Sequence, residues 1–206
     1  MAEQPITRRE RQAQETQREI LQAARRLFAE HGYTRTTVRH IAEAAGVSAQ
    51  TVYDSIGSKQ AVVARLNDLI DEEADIGRIV GERMSSGDPA VIVGTSARIT
   101  RSILEHCGDI VHALVTGATS EPELAAALAE GHRRHLDGAR RVVQALHGAG
   151  ALGRGVDVAH AAETMAALAD VQFCLLLRDT YGWSLDRVET WVAETTKVLV
   201  LGPSER

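Results

Sequence analysis

Apolar residues return every three or four positions through most of the 206-residue chain, and no convincing run of alternating apolar and polar residues interrupts them. A period near 3.6 places such residues on one face of a helix, whereas a strand needs a period of two. Alanine is abundant and only four prolines occur, so little in the backbone opposes helix formation. The sequence predicts an all-α fold.

The punctuation divides that fold. Ile20, Ala24, Leu27 and Phe28 share one face of a helix expected over 16–31, with Gly32 as its stop. Thr36 or Thr37 caps a shorter helix through Ala45, Ser48 caps another reaching Asp54 or Ser55, and Ser58 caps a long one to about Val80. Gly87-Asp88-Pro89 is the clearest boundary in mid-chain. Helices are then expected over 89–107, 109–118, 121–147, 157–181 and 184–201, with Pro122 in a first turn, Asp157 and Ser184 as caps and a turn at Tyr181-Gly182. Residues 1–15 read as a flexible basic arm, residues 16–59 as a three-helix domain, and residues 60–206 as a second helical domain. Arg8, Arg9 and Arg11 form either a minor-groove arm or a solvated tail diluted by Glu3, Glu10 and Glu15.

The net charge of −5 argues against a nucleic-acid partner, but it hides an asymmetry. Residues 1–59 carry nine Lys/Arg against seven Asp/Glu, leaving fourteen against twenty-one in residues 60–206. The N-terminal part is therefore the one suited to phosphates. Cys107 and Cys174 sit among apolar residues and read as reduced core thiols. The opening MAEQPITRRERQ lacks an apolar stretch, and no later segment approaches the roughly 20 apolar residues of a membrane span. A cytoplasmic protein with no membrane partner is expected.

Residues 37–55 read as helix, tight turn at Ala45-Gly46-Val47, and second short helix. In a helix-turn-helix the second helix presents its first residues to base edges while the first crosses the backbone. Ala49, Gln50 and Thr51 occupy those early positions behind the cap Ser48. Gln pairs bidentately with adenine, and Ala or a Thr methyl touches the thymine methyl. Tyr53 carries a rigid hydroxyl, and Lys59 opens the next helix where it can meet a phosphate.

The stretch ILQAARRLFAEHGYTRTTVRHIAEAAGVSAQTVYDSIGSKQAVV resembles the TetR family of bacterial transcription regulators, most strongly over residues 17–66. It follows the order of helix, H-G-Y turn, T-T-V, I-A-x-x-A-G-V-S, T-V-Y and lysine. The resemblance implies phosphate contacts at Thr37, Tyr53 and Lys59, base contacts at Ala49, Gln50 and Thr51, and a backbone contact at Arg39. It departs after T-V-Y, where Asp54, Ser55 and Ile56 replace the usual variable residue, His and Phe. Ser55 is then a weaker phosphate ligand, and Asp54 either points away or accepts from a cytosine amine. The resemblance further implies a double-stranded operator, a homodimer and a repressor released by a small-molecule effector.

The residues offer three other chemistries. Gly148-Ala-Gly150-Ala-Leu-Gly153 matches the dinucleotide fingerprint of a helical NAD-type enzyme, but a helical pattern precedes it where a strand is required. His132 and His135, with His106 and Cys107, suggest a metal sensor, yet Arg133 and Arg134 lie between the two histidines. No serine or cysteine sits in a catalytic motif, so no enzyme activity, cofactor or metal is expected. A helical adaptor without DNA binding would tolerate charge reversal at Lys59 and replacement of Tyr53.

Residues 60–206 contain no motif of that strength. Leu104, Leu114, Leu128, Phe173 and Leu177, with His106, His112 and Arg178 as orienting groups, are the candidates for an apolar effector pocket. Val158, Ala162, Met165, Ala169 and Leu176 on one helix, and Leu185, Val188, Val192 and Leu199 on the next, form stripes that predict a four-helix dimer interface.

Overall fold

A computed structural model describes residues 7–202. Among them the chain forms thirteen α-helices and no strand. In order these are α1 (Arg8–His31), α2 (Val38–Ala44), α3 (Ala49–Ser55), α4 (Lys59–Ala64), α5 (Leu66–Glu73), α6 (Ile76–Ser85) and α7 (Pro89–Val93). There follow α8 (Thr95–His106), α9 (Gly108–Gly117), α10 (Pro122–Gly148), α11 (Val158–Leu168), α12 (Val171–Asp179) and α13 (Leu185–Leu201). None of the described helices is long and apolar enough to cross a membrane.

Two compact units result. The first comprises the chain up to Leu69 and His112–Leu128. Here α1 packs on α2 and α3, burying Ile20, Leu21, Ala23, Ala24 and Phe28 together with Ile41, Ala42 and Val52. Asn67 Nδ2 donates to the Ala127 carbonyl at 2.8 Å, and Gln60 Nε2 to Glu123 Oε1 at 2.7 Å, joining the returning segment to α4 and α5.

The second unit comprises Ile70–Val111 and the chain from Ala129 on. In it α13 packs against α7, α8, α11 and α12. Its core includes Ile92, Val93, Val142, Val143, Leu146, Met165 and Val200.

The structure shifts several expected boundaries. Helix α1 begins at Arg8, so the expected arm is helical from there on; residues 1–6, with Glu3, lie outside the described residues. The cause is a capping box: Thr7 Oγ1 accepts from Glu10 N at 3.3 Å, and Thr7 N donates to Glu10 Oε2 at 2.8 Å. The long helix expected over 58–80 is three helices, with a break at Ala74-Asp75 where Asp75 is left-handed at φ 54°. The helix expected over 89–107 breaks at Gly94, and that over 157–181 breaks at Ala169-Asp170.

Hydroxyls of α8 hold two of these breaks from a distance. Ser102 Oγ donates to the Ala74 carbonyl at 2.8 Å, and Thr100 Oγ1 to the Ala169 carbonyl at 2.6 Å, all in buried surroundings. A carbonyl at an interrupted helix end has lost its partner in the next turn, and burial without a replacement is costly. One buried helix supplies that replacement for both.

The expected dimer stripes need correction for the same reason. Ala162, Met165 and Ala169 are buried within the protomer, as are Val188 and Val192, which with Thr196 and Val200 form the inward stripe of α13. Val158 and Leu185 are half-buried, and only Leu176 and Leu199 of the nine are exposed. The break before α12 ends the single stripe drawn through 157–181.

The glycine run after α10 also has a structural use. Gly153 N donates to the Val200 carbonyl at 2.9 Å. A Cβ on Gly153 would stand 3.0 Å from Gly202 N and 3.1 Å from the Leu201 carbonyl carbon, so two backbones meet where no side chain fits.

Candidate nucleic-acid interface

The interface is assembled by local capping. Thr37 Oγ1 accepts from His40 N at 3.2 Å and starts α2, whose Ile41 and Ala42 enter the core. Gly46 is left-handed at φ 68°, and Val47 N returns to the Ala42 carbonyl at 3.0 Å, closing the turn. Ser48 Oγ then accepts from Thr51 N at 3.0 Å and starts α3. Val52 is fully buried and seats α3 on the domain. Gln17 Nε2 of α1 donates to the Ser55 carbonyl at 2.8 Å, holding the far end of α3.

A short helix held at both ends and along one side presents its other side to solvent. Gln50, Tyr53 and Asp54 are exposed, and Ala49, Thr51 and Ser55 are half-buried. The polar groups there are already paired with one another: Gln50 Nε2 donates to Asp54 Oδ1 at 2.7 Å, and the Ser48 and Thr51 hydroxyls lie 2.8 Å apart. Arg39, its side chain 83% exposed, pairs with Glu43 at 3.0 Å on α2. At that exposure the pair leaves the guanidinium accessible to an anion.

Lys59 is committed differently from the expectation. Its Nζ donates to the Tyr33 carbonyl at 2.9 Å and the Thr36 carbonyl at 3.0 Å, and lies 3.8 Å from the centre of the Tyr33 ring. It therefore ties the start of α4 to the turn between α1 and α2, with one N–H left over. Tyr33 packs against Phe28 with the rings tilted and their centres 5.5 Å apart, and burial, then the charges of Glu123 and Glu121, push its hydroxyl pKa up. The buried Thr36 hydroxyl donates to the Gly32 carbonyl at 2.9 Å. Sequence reasoning missed Tyr33, Thr36 and Gln17 as the supports of this surface. The only signal was the H-G-Y turn itself, whose encounter with Lys59 needs the chain to fold back.

The effector candidates are divided between the two units. Leu104, His106, Phe173, Leu177 and Arg178 belong to the second, and His112, Leu114 and Leu128 to the first. Leu104, Leu114 and Leu177 are buried; His106 and His112 are exposed. His106 Nδ1 lies 2.9 Å from the Ser102 carbonyl, and Arg178 Nε donates to Asp179 at 2.6 Å.

Of the histidines raised as metal ligands, His132 Nε2 lies 3.3 Å from Asp170 Oδ2, near but not aligned as a hydrogen bond. His135 Nε2 donates to the Ala166 carbonyl at 2.9 Å. Burial, helped by the charge of Asp170, pushes the Cys174 thiol pKa up to about 12, leaving it an inert core thiol.

Fold and surface together define an all-helical helix-turn-helix protein. The family model of the bacterial regulatory proteins of the tetR family matches residues 20–66. The regulator TtgR of Pseudomonas putida is 36% identical over 84 residues, a stretch covering 41% of this chain and 40% of TtgR. A TetR-family regulator from Syntrophomonas wolfei superposes with a TM-score of 0.76 at 20% identity, covering 90% of this chain and 95% of its own. SmeT, the repressor of the Stenotrophomonas maltophilia multidrug efflux pump SmeDEF, gives 0.68 at 22% identity over 93% of each chain. The N-terminal domain belongs to the tetR family, and the fold of the whole chain is that of TetR-family regulators.

Proposed function

We propose that the protein is a DNA-binding transcriptional regulator: a dimeric repressor released from a two-fold operator by a small, mostly apolar effector. The observation that carries this reading is α3, a seven-residue helix capped by Ser48, seated by buried Val52 and exposing Gln50, Tyr53 and Asp54. A helix that short contributes little to a core, and its outward side chains suit the major groove. Thr37, Ser48, Tyr53, Ser55 and the accessible guanidinium of Arg39 are assigned to the phosphates, with Lys59 offering its remaining N–H. Ala49, Gln50 and Thr51 are assigned to the bases.

Two such helices must stand about 34 Å apart to enter successive major grooves. The dimer is assigned to the outward face of α12 and α13, where Leu176, Trp191, Val198 and Leu199 are exposed apolar residues. An effector that favours a protomer shape with the wrong separation lowers operator affinity by its differential binding to the two conformations. SmeT has been solved in complex with triclosan, which supports a small apolar effector; Leu104, Leu177 and Phe173 of the second unit are assigned to its site. Footprinting on the DNA flanking the protein's own gene tests the reading. Two protected major-groove faces about one helical turn apart are expected, and their absence at low salt would refute it.

A further inference from the structure

We propose that Asp54 is a positioning residue for sequence discrimination, orienting the Gln50 carboxamide toward an A·T pair by engaging one of its N–H groups. The inference rests on the DNA-binding reading above. Gln50 and Asp54 lie one turn apart on the exposed side of α3, where i, i+4 side chains face each other. Gln50 Nε2 donates to Asp54 Oδ1 at 2.7 Å.

The chemistry of the pair gives it direction. An ionised carboxylate only accepts, so it can hold only the NH2 end of the amide. Oε1 is then turned away from Asp54. A carboxamide has two N–H groups, and with one on Asp54 the other remains beside Oε1. Those two atoms form the donor–acceptor edge that pairs with adenine N7 and N6. Without Asp54 the amide turns freely, and its reversed orientation presents acceptor for donor. The bond therefore acts before contact, by removing rotamers that otherwise have to be frozen at the base edge.

Asp54 has an opposite effect on affinity. Its charge faces the same groove as the phosphates and is repelled by every sequence alike. Discrimination and overall affinity thus come from separable properties of one side chain: the acceptor orients Gln50, and the charge weakens binding everywhere. Asparagine keeps the acceptor and removes the charge, whereas alanine removes both.

The full chain is first selected against a randomised duplex pool. The enriched site and its single-base variants are then titrated by fluorescence anisotropy with wild type, Gln50→Ala, Asp54→Ala, Asp54→Asn and the Gln50→Ala/Asp54→Ala double variant. Wild type should prefer A·T at the pair read by Gln50 by about tenfold, within the range of a bidentate contact. Asp54→Ala should lose most of that preference and Asp54→Asn should retain it, while both bind all duplexes more tightly. In the Gln50→Ala background, Asp54→Ala should change no base preference. A preference that survives Asp54→Ala overturns the proposal, as does a shift caused by Asp54→Ala when Gln50 is already absent, which would mean that Asp54 reads a base itself. Circular dichroism checks that each variant is folded, and the near-isosteric Asp54→Asn, if it loses the preference, overturns the proposal by itself. A pool with no enriched sequence refutes the DNA-binding reading instead, and the inference falls with it.

Discussion

The two units close their helix ends in different ways. In the first, Thr7, Thr37, Ser48 and Ser58 each accept from the backbone N–H three residues on, so every one of α1 to α4 is started by its immediate neighbour in sequence. The second also has local caps, at Asp88, Asp157, Asp170 and Ser184. Its breaks at Ala74 and Ala169, however, are held by Ser102 and Thr100, 28 and 69 residues away. The helix starts of the first unit follow rules that act within one turn of helix, even though Gln17 and Lys59 reach carbonyls farther away. The second depends on where α8 lies after folding, and its shape is correspondingly harder to read and easier to disturb at a distance.

The strongest test of this difference lies in the second core. Met165, fully buried, should cost about 2–5 kcal/mol when cut to alanine. Urea denaturation measures it, and a loss below about 1 kcal/mol would remove Met165 from the core. By the same burial, Ala169→Arg reports on the protomer's own packing rather than on a dimer surface.

Lys59 sharpens the picture of the first unit, because it is a long-range tie there, as are Gln17 to Ser55 and Asn67 to Ala127. Lys59→Met loses two hydrogen bonds from a charged group and should cost about 1.5–3 kcal/mol. An unchanged melting temperature together with weaker DNA binding would make Lys59 a phosphate contact only.

The local and distant caps can be set against each other directly. Thr100→Val leaves the Ala169 carbonyl buried without its donor and should cost about 1–3 kcal/mol. Ser48→Ala, at an exposed cap, should cost about 1 kcal/mol. If the two losses come out reversed in matched denaturation curves, the distinction between the units fails.

A pH-dependent loss should belong to the second unit. Burial pushes the His135 pKa below its ordinary value of 6.5, against the opposing effect of its bond to the Ala166 carbonyl. The unfolded chain then binds a proton that the folded one resists, so stability present above pH 6.5 falls as the pH drops toward the folded pKa. His135→Gln should flatten the stability profile over that window, and an unchanged slope would assign the loss to other groups.

Much of this architecture was readable beforehand. The 3.6 period predicted the helices, and Gly46, Ser48, Asp157 and Ser184 placed starts and a turn correctly, with the α2 cap narrowed to Thr36 or Thr37, since a cap and the residue it serves are near neighbours in sequence. Helices α9, α10 and α13 fall within a residue or so of their expected limits. The sites were legible to different depths. Exposure of Gln50 and Tyr53 follows from the pattern of α3, whereas Lys59 turning back onto Tyr33 and Thr36 does not, because those carbonyls lie 26 and 23 residues upstream.

What the sequence alone determined is helix content, the local caps and the exposed side of α3, all governed by interactions within a few residues. The interruptions at Asp75 and Asp170, and the side on which the α13 stripe is buried, were decided by tertiary structure. An apolar stripe records that a face must be covered but not by what. The breaks at Ala74 and Ala169 each leave a buried carbonyl whose lost partner a distant hydroxyl of α8 replaces.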